Sequence, residues 1–290
     1  MSTMQYPPTE LVLDGKGQVY HLGLSPDQIS DKIILVGDQD RVELVAKNFE
    51  VIEHRSKHRE FVCATGVYEG KRITALSTGI GTDNIDIVMN ELDALVNIDL
   101  KDRCNMGDTQ SLEIVRIGTC GILQPEIPVH AYILSEYAFG LDNVAHFYDI
   151  DFDDREQTLN DQIEAHIGLP KKINTYLVGA SSKLVSKLDG PNVHKGITIT
   201  SSGFYGPQGR QLRLKTKTTE LNDRITSFRS NSDRITNFEM ESSALFALGK
   251  ALGHDCTTIC LGIANRPKKE FSSGYQADME KLIKYVLDRL

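Results

Sequence analysis

An arginine sits inside an apolar run, where Val115-Arg116-Ile117 leads into Gly118-Thr119-Cys120-Gly121. A guanidinium taken out of water needs an anion beside it. Either an internal carboxylate pairs with Arg116, or a ligand anion does, with the hydroxyl or amide of Thr119 turned to the same ligand. Gly37-Asp38-Gln39-Asp40-Arg41 is a second candidate anion site. Glycine lets backbone approach an anion, a helix start offers free N–H groups, and Arg41 adds a charged fork. The alternative is that Asp38 or Asp40 only caps a helix and Arg41 is solvated. The segment is neither a GxGxxG nor a Walker loop, so the nucleotide-specific motifs are absent. Phe204-Tyr205-Gly206-Pro207-Gln208-Gly209-Arg210 combines aromatic rings, a planar amide and a planar guanidinium, which suits a flat heterocycle. Gln208 can donate to and accept from an imide edge, and Arg210 can donate to a carbonyl. An ordinary Gly/Pro turn is the competing reading. In Asn237-Phe238-Glu239-Met240-Glu241-Ser242-Ser243 a carboxylate at a helix start either answers the helix dipole or grips a pair of sugar hydroxyls.

These groups need elements to hold them. β-Branched or apolar runs over 32–37, 72–79, 113–118, 175–179, 196–201 and 257–264 end in glycine or a polar turn and predict strands. Between them the spacing of Ile85, Val88, Leu92, Leu95 and Val96 predicts a helix over 83–97. Ala244, Leu245, Leu248 and Leu252 predict another over 240–252, stopped by Gly253, and 276–290 reads as a closing helix. Strands alternating with helices imply a mostly parallel or mixed sheet covered on both faces, with ligands at the carboxyl ends of its strands.

The chain has 290 residues, 40% of them hydrophobic, and no linker, repeat or low-complexity tract divides it. It reads as a single domain over 1–290, with 1–20 as an N-terminal extension. A net charge of -8 argues against a polyanionic partner such as nucleic acid, but leaves room for a small anion held by a local cluster. No stretch approaches the roughly 20 apolar residues that span a bilayer, and no export signal opens the chain, so a cytoplasmic protein is expected. Five cysteines, an odd number, fit reduced thiols, although Cys256 and Cys260 are spaced like half a metal site.

Taken together, the segments resemble the nucleoside phosphorylase-I family, its uridine phosphorylase branch in particular. The resemblance rests on His21-Leu22-Gly23-Leu24, Val36-Gly37-Asp38 with Asp40-Arg41-Val42, His58-Arg59-Glu60-Phe61, Ser77-Thr78-Gly79-Ile80-Gly81, Arg116-Ile117-Gly118-Thr119, Phe204-Tyr205 with Gln208 and Arg210, Glu239-Met240-Glu241-Ser242, and Asn265-Arg266. These occur in the family's order. The resemblance implies a three-layer α/β/α subunit with a mixed central β-sheet, assembled as dimers that share residues between active sites, with hexamers built from dimers in bacterial members. It implies phosphate at Gly37, Arg41, Arg116 and Thr119, with Arg59 reaching in from a partner subunit. Ribose would meet Thr119, Met240 and Glu241, with the partner's His21 near its 5′ end. The base would meet Phe204, Gln208, Arg210, Ile263 and Arg266. No cofactor is required beyond inorganic phosphate as co-substrate. Some members hold a monovalent cation between subunits, and Glu60 matches one of its ligands, which leaves potassium open.

The activity so implied is phosphorolysis of uridine to uracil and ribose 1-phosphate, with Arg210, Gln208, Glu241 and Arg116 carrying the chemistry. Purine-cleaving members place an aspartate after the last core strand, whereas this chain has Gly262-Ile263-Ala264-Asn265-Arg266. A purine nucleoside phosphorylase, a nucleosidase of the same fold that uses water, and a nucleoside-binding protein without turnover are the alternatives. The chain also departs from the family. Thr82-Asp83-Asn84 stands where Gly-Pro-Ser is common, Cys120 stands where a threonine or serine is usual, and 102–110 reads as an insertion.

Overall fold

A computed structural model of the chain describes residues 5–218 and 220–290; of the extension expected over 1–20, residues 1–4 lie outside the described residues. The first half runs β1 (Lys32–Val36), α1 (Gln39–Ala46), β2 (Val51–His58), β3 (Phe61–Tyr68), β4 (Lys71–Ser77), α2 (Thr82–Asn97), β5 (Ile98–Asp99), β6 (Cys104–Asn105), β7 (Glu113–Ile122) and β8 (Tyr132–Gly140). It continues with α3 (Asp154–Ile167), β9 (Tyr176–Gly179), α4 (Ser182–Leu188), β10 (Val193–Thr200), α5 (Leu221–Ser227) and β11 (Arg229–Ser230). Then come β12 (Asp233–Glu239), α6 (Ser242–Leu252), β13 (Asp255–Asn265), β14 (Glu270–Phe271) and α7 (Gln276–Leu287).

The main sheet is mixed, in the order β11-β12-β10-β8-β13-β7-β1-β4-β3-β2. Strand alternation sends successive side chains to opposite faces. In β1, Ile33 and Leu35 join one core while Ile34 and Val36 join another, all four fully buried. The first core is covered by α2 and α6, the second by α1, α4 and α7. The expected α/β/α layering with a mixed central sheet is therefore present. A third cluster, under α3 and α5, packs on β10 and β12.

The sheet does more than stack. β7, β13, β1 and β4 share one direction, while β8, β10 and β12 run the other way. β12 nevertheless pairs back onto β7, Asn237 with Ile122 and Phe238 with Gly121, so that β7, β13, β8, β10 and β12 close into a ring. Register shifts at Gly262/Ala264 and Gly196/Ile197 supply local bending of this kind. Closure brings the carboxyl ends of β7 and β12 together, although the two strands are antiparallel.

Three sequence expectations need correction. Gly118 to Gly121 do not form a turn: β7 continues to Ile122, because its last residues pair with β12 and β13. The helix expected over 240–252 begins at Ser242, since Asn237, Phe238 and Glu239 are the end of β12. The closing helix stops at Leu287. The stretch 102–110 belongs to a small hairpin, β5 with β6, which fastens the N-terminal segment: Arg103 donates to the carbonyls of Tyr6, Pro7 and Leu11.

At the opposite end of β7, Glu113 receives Lys32, Lys183 and Lys187 at 2.6–2.9 Å, joining β1, β7 and α4. Burial alone would raise its pKa, but the three ammonium groups overrule it and hold it at about 2, against an ordinary 4.5. A depressed carboxylate pKa contributes stability that is present above the ordinary value and is lost as pH falls toward the folded one. Urea midpoints followed from neutral pH down through that window should fall more steeply for the wild type than for Glu113→Gln. Parallel curves would show that the network contributes nothing.

Candidate active site

A cavity of about 730 Å³ opens where the strand ends converge, and most of the residues singled out in the sequence line it. Its lining includes Gly37, Arg41, Arg116 and Thr119, Met240 and Glu241, and Phe204, Gln208, Arg210 and Ile263.

Arg116 leaves β7 toward the α2/α6 face, and its side chain is 5% exposed. Of the two sequence alternatives for Arg116, the internal carboxylate is present. Its Nη2 is 2.5 Å from Glu241 Oε2 and its Nη1 is 3.7 Å from Glu239 Oε2, so internal carboxylates do face it. Yet Nε and Nη1 have no hydrogen-bond partner although buried. Burial disfavours its charge, but Glu241 and Glu239 outweigh burial and raise its pKa. Gly118 makes room for this guanidinium: a Cβ there would stand 2.4 Å from Arg116 Nη1 and 2.9 Å from Cys260 Sγ.

Asp38 is the N-cap of α1, its carboxylate accepting from the Asp40 amide at 3.0 Å. The capping alternative is thus right for Asp38, but Arg41 is not solvated. It is buried, donates to the Ile117 carbonyl at 3.3 Å, and has its pKa lowered by burial and then by the neighbouring charge of Arg116. Two guanidiniums held together against their repulsion, one with orphaned buried donors, form a place for an anion.

Two carboxylates stand at the junction of β12 and α6, and the helix-start alternative holds for Glu239. Glu239 accepts the amides of Glu241 and Ser242 at 2.9 Å and the Thr200 hydroxyl at 2.6 Å, answering the free N–H groups at the start of α6. Glu241 turns into the cavity, where its other oxygen accepts the Gly81 amide at 2.8 Å at the start of α2. Glu239 was named in the sequence motif but given no role there; the acid-x-acid spacing at a strand-to-helix junction was its only signal.

Arg210 lies 3.7 Å over the Phe204 ring and donates to the Phe204 carbonyl and to Gln208 Oε1. Burial, followed by the charge of Arg266, lowers its pKa to about 10, which leaves it a cation at neutral pH. Arg266 does not line the cavity; it donates to the Gln208 carbonyl at 3.0 Å and so supports Gln208 through its backbone. Ile263 enters the cavity because it is the residue at the β13 register shift. Asn265, by contrast, is committed to the Gln124 and Ile127 carbonyls.

His21 and Arg59 lie outside this cavity, beside each other on the rim: Arg59 stacks on Tyr20, and His21 Nδ1 is 2.6 Å from Glu91. Sequence reasoning gave no role to Ile80, Asn84, Phe238 or Phe271, which also line the cavity. Glu60 lies at the edge near Asn84, one carboxylate beside one carboxamide. Among the described residues no group of three His, Cys, Asp or Glu side chains forms a metal site, and all five cysteines are free, so Cys256 and Cys260 are packing thiols. No described helix is long and apolar enough to cross a membrane.

Gly118→Ala should displace the Arg116 guanidinium and lower any anion-dependent activity by about 100-fold, with an overpacking cost of about 1–3 kcal/mol. Anion titrations and thermal unfolding of the variant measure both; unchanged anion affinity would show that Arg116 does not depend on this space.

The model of the Phosphorylase superfamily matches residues 31–288. The chain is 28% identical to a uridine phosphorylase of Thermococcus kodakarensis, covering 88% of this chain and 80% of that one. It is also 28% identical to a DeoD-type purine nucleoside phosphorylase of Alkaliphilus metalliredigens, with 82% and 84% covered. Among solved structures, a Trypanosoma brucei nucleoside phosphorylase that shows uridine phosphorylase activity superposes with a TM-score of 0.89 at 29% identity, covering 97% and 99%. With this match spanning the whole sheet and every cavity residue named above, the chain belongs to the phosphorylase superfamily.

Proposed function

We propose that this chain cleaves uridine with inorganic phosphate, giving uracil and ribose 1-phosphate. The observation that carries the reading is the set of groups that share one cavity. Buried, unpartnered nitrogens of Arg116 lie beside Arg41, the Glu241 carboxylate pairs with Arg116, and a coupled amide and guanidinium, Gln208 and Arg210, line the same space. Uridine phosphorylases recur among the relatives, and the fold agrees with that of the trypanosomal enzyme.

In this reading phosphate rests on Gly37, Arg41, Arg116 and Thr119, and Glu241 with Met240 receives the ribose hydroxyls. The base stacks near Phe204 and meets Gln208 and Arg210. The bond from C1′ to the base lengthens first. Its electron pair leaves with uracil, and Arg210 stabilises the resulting anion while phosphate supplies negative charge beside the ribosyl cation. Phosphate then bonds to C1′ on the opposite face. Glu241 aligns the ring for that attack, so positioning and electrostatics suffice without a nucleophilic side chain. His21 and Arg59, grouped on the rim, serve the site of a partner subunit, and the working unit is at least a dimer. A monovalent cation at Glu60 would lie between two subunits, and no step is routed through one.

Uridine is favoured over inosine because 262–269 carries no carboxylate to protonate a purine ring, and Asn265 is occupied. Absorbance assays of uridine and inosine, with and without phosphate, test this directly. Phosphate-dependent loss of uridine alone is expected, and Arg210→Ala should lower it by on the order of 10²–10³. Cleavage without phosphate would mean hydrolysis, and binding without cleavage would mean a nucleoside sensor.

A further inference from the structure

The reaction above leaves one buried ionisable group of the cavity wall without a task. The side chain of Glu239 is 1% exposed. Its Oε1 accepts from Thr200 Oγ1 at 2.6 Å and its Oε2 lies 3.7 Å from Arg116 Nη1, a donor with no hydrogen bond. The charged and titratable groups around it are Glu241 at the start of α6 and Arg116 and Cys120 on β7. Beyond Arg116 stand Arg41 on α1 and Cys260 on β13.

Glu239 and Glu241 face Arg116, and Asp38 is the carboxylate that bears on Arg41. An entering phosphate dianion therefore meets guanidiniums already partly compensated and carboxylates that repel it. Glu241 is not free to relieve this, because its oxygens are committed to the Gly81 amide and to Arg116 Nη2. Glu239 accepts from the Thr200 hydroxyl and from the amides of Glu241 and Ser242, but among the described residues no cation lies within hydrogen-bond distance of it. For a proton on Oε1 the Thr200 hydroxyl, which already accepts from the Ser243 amide at 3.0 Å, turns from donor to acceptor, while the Glu241 and Ser242 amides still reach Oε2.

We propose that Glu239 is a positioning residue that gains one proton from solvent as phosphate binds, releasing Arg116 to hold the anion. An O–H bond forms on Glu239 as the hydronium or buffer acid that supplies the proton loses its own bond to hydrogen. Burial, then the charge of Glu241, already raises the Glu239 pKa, against the pull of Arg116, so the proton need not be forced on an ordinary acid. The inference rests on the phosphorolysis reading in one respect, the placing of phosphate at Arg41 and Arg116.

Sulfate is the probe, because it keeps the same charge across the neutral range and contributes no proton of its own. Calorimetric titration of the full-length protein near neutral pH, in two buffers of different ionisation heat, counts the protons taken up. The wild type should gain up to one proton per site, and its sulfate affinity should weaken as pH rises, by at most about tenfold per pH unit. Glu239→Gln should bind sulfate with no uptake and with an affinity that pH does not change, a result that a merely structural carboxylate would not give. Sulfate binding without uptake in the wild type, or equal uptake in the variant, overturns the proposal and leaves phosphorolysis standing. If sulfate neither binds nor competes with phosphate, the anion site itself is wrong and both readings fall. Should the variant fail to fold, the wild-type measurement in two buffers still decides.

Discussion

A guanidinium buried inside a β-strand has to be neutralised, and the region around Arg116 is organised by that requirement. Two carboxylates at the junction of β12 and α6 face it, and each is held by helix amides: Glu239 by the start of α6, Glu241 by the start of α2. Removing one partner of such a buried set leaves a charge uncompensated, at a cost of about 3–5 kcal/mol, whereas apolar replacement of the whole set is often neutral. Stability alone therefore gives little reason to keep it. A site that must receive an anion and then release it does give a reason.

The geometry follows from sheet closure. In an open sheet the ends of β7 and β12, which run in opposite directions, would lie far apart. Pairing of Phe238 with Gly121 folds one half over the other, and Phe204, Gln208 and Arg210 on the loop after β10 then line one cavity with Gly37, Arg41 and Arg116. The absence of a side chain at Gly118 lets the guanidinium lie along β7 beneath this junction.

The sequence carried much of this. Apolar periodicity located the core strands and α2, and the odd charge at Arg116 within an apolar run marked the centre of the site. Gln208 with Arg210 was legible because the residue types themselves state a hydrogen-bonding pattern. What periodicity could not reveal was pairing between distant segments. Gly118 to Gly121 look like a turn until β12 is placed beside them, and β2, β3, β8 and β12 carry polar or aromatic residues that blur their pattern. Glu239 and Glu241 are two residues apart, and only the strand-to-helix junction between them separates a capping acid from one facing the cavity. His21 and Arg59 were placed by resemblance alone, and neither lines the cavity of this chain.

The most direct test of the central claim is the phosphate dependence of uracil release in Arg116→Lys, measured at saturating uridine. A lysine keeps the buried charge but loses the planar fork that spans Glu241 and an anion. The account predicts a folded protein whose kcat/KM for phosphate falls on the order of 10²–10³, as when one transition-state donor is lost. Wild-type phosphate dependence in that variant would contradict it, because Arg116 would then be a structural charge and the anion would be held elsewhere.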